Sequence, residues 1–158
     1  VQEIAGVGVD VGLEMAELET VGACLCGAVR FTIRGSLRNV LACHCGQCRK
    51  SSGHFWAATA APRDAFTFQS DDGLSWFQSS KEAKRGFCSN CGSSLFWSHS
   101  GKDTLSVSAG VLEKPTNLIF GGHIFCDDAS DYYQVDVGEG VFETTSAGRA
   151  GPQGSENT

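Results

Sequence analysis

No apolar run in the 158-residue chain approaches the roughly 18 residues that a helical membrane span requires, which excludes a helical membrane protein. The 20 glycines show no three-residue period, so a collagen-like fibre is excluded too. The first 20 residues carry five acidic and no basic side chains and lack the positive segment and long apolar stretch of a secretory signal. A cytoplasmic protein is expected. Basic residues never form a run, and nucleic acid is not the expected partner. Prolines number three and methionine occurs once, as Met15. Because MAELET leads directly into the first cysteine motif, the native start is expected at Met15, with residues 1–14 as an upstream extension.

Set against these scarcities are eight cysteines in 16.7 kDa, with 41% hydrophobic residues, enough for the core of one domain. In a reducing compartment cysteines serve as metal ligands or reactive thiols more often than as disulfide partners. They are grouped: Cys24 and Cys26, then sixteen residues, Cys43, Cys45 and Cys48, then thirty-nine residues, Cys88 and Cys91, and finally Cys126 alone. A spacing of two lets two sulfurs turn toward one metal. Glycine follows three of them, at Gly27, Gly46 and Gly92, where it frees the backbone for tight metal-binding turns. Zinc takes four thiolates without redox chemistry, and these spacings resemble a zinc ribbon more than a ferredoxin, with an iron–sulfur cluster as the competitor. Seven clustered cysteines divide as four plus three. Four ligands make a closed structural site, whereas three leave a position for water or substrate. The alternative is that His44, His54, His123 or Cys126 closes the second site.

Strand patterns dominate the rest. Residues 28–34 alternate Val29, Phe31 and Ile33 with polar neighbours, as a half-buried strand does. Further strands are expected at 54–61, 66–69, 75–78, 94–98, 104–109, 118–120, 123–126 and 132–137, separated by turn clusters. Short helical turns are expected at 47–52 and 111–114. The expected organisation is an extension over 1–20, a folded domain over 21–143, and a disordered tail over 144–158, rich in Ser, Thr and Gly. The net charge of -6 hides an asymmetry. Between Val21 and Leu112 ten basic residues face five acidic ones, and that positive middle holds every cysteine except Cys126. Positive surroundings stabilise thiolates and attract small anions.

Three motifs, GACLCGAVRF (22–31), CHCGQCRKSSG (43–53) and RGFCSNCGSSLFW (85–97), occur in order. Together they resemble the glutathione-dependent formaldehyde-activating enzyme and centromere protein V family over about residues 21–137. HIFCDDASDYYQV is similar to the family's closing segment, with Tyr132 or its neighbour where a tryptophan is usual. The resemblance implies an all-β fold, the β-tent, made of small zinc-ribbon-like sheets with few helical turns. It implies a structural zinc on Cys24, Cys26, Cys88 and Cys91, and a catalytic zinc on Cys43, Cys45 and Cys48, two Zn2+ per chain. The implied activity is that of a carbon–sulfur lyase joining a small-molecule thiol, glutathione, to formaldehyde as S-(hydroxymethyl)glutathione. The alternative is a non-catalytic zinc scaffold, since family members include a chromatin-associated protein and activity does not follow from fold. Arg49 and Lys50 are candidates for binding glutathione carboxylates, and Ser51 and Ser52 for donating to a ligand sulfur. His54, Trp56, Phe96 and Trp97 read as core rather than pocket.

Overall fold

The computed structural model describes residues 18–135, so the expected tail and nearly all of the expected extension lie outside the described residues. Ten strands are described: β1 (Glu19–Ala23), β2 (Arg30–Arg34), β3 (Val40–Cys43), β4 (Trp56–Pro62), β5 (Phe66–Ser70), β6 (Leu74–Gln78), β7 (Ala83–Cys88), β8 (Ser94–His99), β9 (Thr104–Ser108) and β10 (Phe120–Ile124). The one α-helix among them, α1 (Gly46–Ser52), follows β3. The fold is mostly β, as expected.

The strands form two sheets. One has three strands in the order β1-β2-β5, and the other has seven in the order β10-β3-β4-β9-β8-β7-β6. Every pairing is antiparallel except β10 with β3. The alternation of β2 places Phe31 and Ile33 in the core with no exposure, beside Val29, Leu95, Phe96 and Val107. Phe31 is the hub, its ring centroid 5.0 Å from that of Phe96 and 5.9 Å from that of Phe68. Aromatic side chains bury large apolar areas, and this cluster binds the small sheet to the large one. A second buried cluster holds Cys43, Cys45, Cys48, Trp56, Ala58 and Ile124, with Trp97 and Phe125 against it.

Several expectations are corrected. The segments 118–120 and 123–126 merge into the single strand β10, whose register shifts between Phe120 and Gly122. The expected strand at 132–137 is turn and irregular backbone as far as the described residues run. There Tyr132 and Tyr133 spend their hydroxyls on His54 and His44, which holds this stretch off any sheet ladder. The helical turn expected at 111–114 is a 3-10 turn at Ala109–Val111, after which Leu112 bridges to Gly22. β1, β3 and β7 were not expected. β3 is only four residues long, and β7 carries Lys84 and Arg85 where an apolar alternation would announce it.

Candidate metal centres and substrate cavity

The first cysteine cluster stands where the two sheets meet. Cys24 and Cys26 lie in the connection between β1 and β2, while Cys88 ends β7 and Cys91 lies in the turn to β8. Gly27 and Gly92 have φ of 79° and 76°, the left-handed conformation that lets the chain turn back after each second cysteine. The four Sγ atoms lie within 4.8 Å of one another. Cys24 to Cys26 is 3.6 Å and Cys26 to Cys88 is 3.7 Å. Four sulfurs at about 2.3 Å from a tetrahedral zinc stand about 3.8 Å apart, so the donor set fits that ion. The Val29 amide donates to Cys24 Sγ at 3.2 Å. Hydrogen bonding from the Ser93 hydroxyl and amide draws the Cys91 thiol down to about 5.

The second cluster is built by one short segment. Cys43 ends β3, Cys45 is the N-cap of α1 and Cys48 lies in its first turn, where the Cys48 amide donates to Cys45 Sγ at 3.4 Å. Gly46 opens the helix rather than taking a left-handed turn, unlike the other two glycines. The three sulfurs lie within 4.8 Å of one another, and all three cysteines are buried. Hydrogen bonds from Cys43 and then Cys48 draw the Cys45 thiol down to about 2, while hydrogen bonding with Cys45 and Cys48 pushes Cys43 up. None of His44, His54, His123 and Cys126 joins this group among the described residues.

Two members of the trio open onto a cavity of about 110 Å³. Cys43 and Cys48 lie in its wall together with Trp56 and Trp97, and Arg38, Arg85 and Lys102 bring three cations to it. Arg85 is buried and its Nη2 donates to Gln47 Oε1 at 3.3 Å and to Cys48 Sγ at 3.6 Å. Arg38 is fixed by bonds to the carbonyls of Asn39 and Ala58, at 2.8 and 3.1 Å. Lys102 Nζ lies 5.7 Å from the centre of the Trp97 ring.

Some residue readings change accordingly. Phe96 is core, Trp56 is core as expected and lines the cavity as well, and Trp97 lines the cavity while packing against the same cluster as Trp56. Arg49 and Lys50, although next to Cys48 in sequence, are not among the cavity residues. A helix turns successive side chains by about 100°, so neighbours in sequence leave the face of Cys48 at once. Ser51 and Ser52 donate to the Cys48 carbonyl at 3.2 and 2.7 Å, bracing the helix end rather than reaching sulfur. Sequence reasoning passed over Arg38, Arg85 and Lys102 as individual residues. Only Arg85, inside the RGFC motif, carried a signal.

His44 points away from the trio. It is fully buried, with Nε2 2.9 Å from His123 Nδ1 and Nδ1 2.6 Å from the Tyr133 hydroxyl. Burial, then the neighbouring His123 and His54, pushes its imidazole down to about 4. Cys126 heads the 3-10 turn Cys126–Asp128, and burial followed by the nearby Asp127 pushes its thiol up.

Fold and site together define a mostly β protein with two thiol clusters fitted to metal ions, one at a sheet junction and one on a cavity. The chain belongs to the glutathione-dependent formaldehyde-activating enzyme family, whose model matches residues 19–128. A Schizosaccharomyces pombe protein described as an uncharacterized lyase is 28% identical over 117 residues, 73% of this chain and 84% of that protein. The crystal structure of a Rhodobacter sphaeroides protein is similar in fold, with a TM-score of 0.52 and 23% identity, covering 67% of this chain and 99% of that one. No described helix is long and apolar enough to cross a membrane.

Proposed function

We propose that the protein is a zinc-dependent carbon–sulfur lyase that forms and cleaves adducts of glutathione, or a glutathione-like thiol, with formaldehyde or a related aldehyde. Cys24, Cys26, Cys88 and Cys91 would hold a structural zinc, and Cys43, Cys45 and Cys48 a catalytic one. The observation that carries this reading is the cavity: two of the three buried cysteines of the second cluster, Cys43 and Cys48, line a space shared with two tryptophans and three cations. A purely structural knuckle needs no such opening, which weighs against the scaffold alternative. The two sheets meeting at the first cluster support the β-tent description, and thiol sites of this kind suit a reducing, cytoplasmic setting.

Zinc bound at the trio would keep a coordinated thiol deprotonated and act as a Lewis acid at neutral pH. The chain's own residues supply the rest. Arg38 and Lys102 offer charge to the carboxylates of a peptide thiol, which makes its binding salt-dependent. Trp56 and Trp97 flank the reacting atoms with apolar surface and exclude water. Holding thiol and aldehyde together in one small space converts a two-body encounter into an effectively unimolecular addition. Elemental analysis together with glutathione calorimetry tests the reading. Two zincs per chain and micromolar glutathione binding are expected; one zinc and no binding would return the protein to the scaffold class.

A further inference from the structure

Two hydrogen-bond donors in cavity-lining side chains have no partner among the described residues: Nε1 of Trp56 and Nε of Arg85. Both residues are more than nine-tenths buried, at 6% and 9% exposure. A third such atom, Nε of Arg49, belongs to a residue outside the cavity. Leaving a buried N–H unpaired is costly, and the great majority of such groups in folded proteins find an acceptor. Two unpaired donors in the wall of one cavity are best explained by an acceptor that arrives with a ligand.

Their placement says which acceptor. Trp56 is the direct partner of Cys43 in the register of β3 with β4. Arg85 reaches the trio at Cys48, its Nη2 spent on Gln47 and Cys48, while its Nε has no partner among the described residues. Gln47 is itself tied to the Ser79 carbonyl at 3.2 Å, which fixes the guanidinium from behind. The two donors therefore belong to side chains placed at Cys43 and at Cys48, the two cysteines in the cavity wall, beside which the oxygen of an aldehyde attacked by a sulfur at the trio would lie.

We propose that Trp56 Nε1–H and Arg85 Nε–H form an oxyanion site for the carbonyl oxygen of the aldehyde. The inference rests on the lyase reading above. In the addition, a thiolate lone pair forms the carbon–sulfur bond and the carbonyl π pair moves onto oxygen. The resulting alkoxide accepts both N–H groups and then takes a proton from solvent water, giving the hydroxyl of the adduct. Cleavage runs the same steps backward, and no oxidant or reductant is involved. Preorganised donors aimed at developing charge are typically worth about 10²–10³ in rate each.

The test compares S-acetylglutathione, which carries a carbonyl oxygen on the sulfur-bound carbon, with S-isopropylglutathione, of similar shape but without it. Calorimetry is run on the zinc-loaded full chain, and on Trp56→Phe and Arg85→Lys with their zinc content measured. The unsubstituted protein should bind the acetyl compound about tenfold more tightly, a difference typical of one or two hydrogen bonds. Either substitution should shrink that preference to about threefold or less, read as the ratio of the two affinities so that a change common to both compounds cancels. In turnover assays kcat should fall about 10²-fold and the KM for glutathione should stay within about twofold. Equal affinity for the two compounds in the unsubstituted protein, or a preference that survives both substitutions, would overturn the oxyanion site while leaving the lyase reading intact. Binding of glutathione without binding of either compound would overturn the oxyanion site, and failure to bind glutathione itself, titrated alongside, would overturn the glutathione reading and the donor pair with it.

Discussion

His44 Nε2 lies 2.9 Å from His123 Nδ1, a direct contact between the imidazole that follows β3 and one on its parallel neighbour β10. A neutral imidazole has one donor and one acceptor. The bonds from His44 to Tyr133 and His123 therefore run in one direction along all three groups. A charged His44 would offer donors to both neighbours and break that order. With its value near 4 in the fold against an ordinary 6.5, the folded protein holds fewer protons than the unfolded chain between those limits. The stabilising contribution is thus full above about pH 6.5 and is lost as the pH falls toward 4. The ring C–H resonances of His44 should titrate with a midpoint near 4, and a midpoint at 6.5 would contradict the arrangement. Tyr133→Phe should cost about 1 kcal/mol, seen as a melting temperature lower by roughly 2–4 °C.

Cys91→Ser should leave the protein unfolded or insoluble. A structural zinc contributes on the order of 10 kcal/mol to folding, comparable to or above the net stability of a small domain. A soluble variant that melts at the unsubstituted temperature would remove Cys91 from the structural site.

Cys45→Ser should behave differently, because the trio opens on a cavity and does not fasten one sheet to the other. The expected protein is folded, carries about one zinc fewer per chain, and has lost its lyase activity. Unchanged metal content by elemental analysis would show that Cys45 is not a ligand.

Cys126→Ser should keep both metals. Cys126 is half-buried in a 3-10 turn and belongs to neither sulfur group. Loss of either metal on this substitution would mean that the division into four and three is wrong.

The clusters were legible because cysteine spacing is local chemistry: two ligands and a turn fit within four residues, and the sequence shows them directly. Strands such as β2 and β9 were legible for a similar reason, since period-two alternation needs only neighbours. β7 was hidden because its interior positions include Arg85, buried by a cavity that exists only once β7 and β8 stand beside β4 and β9. The cation lining escaped for the same reason. Arg38, Arg85 and Lys102 are far apart in the chain, and their meeting is a product of sheet order. Arg49, adjacent to Cys48 in sequence, illustrates the reverse error, because proximity along a helix does not survive its rotation. The Tyr133 to His44 contact joins residues 89 apart and has no local signature.

The quartet has a topological consequence. Cys26 and Cys88 are 62 positions apart, and the trio, Trp56 and Arg85 all lie between them. With a metal on the quartet, that span becomes a closed ring, fastened without a disulfide. A single backbone cut inside the ring, for example by a protease at the exposed Lys81 and Glu82, would leave two fragments held by the same ion. A chelator, not the protease, would then decide when the pieces part.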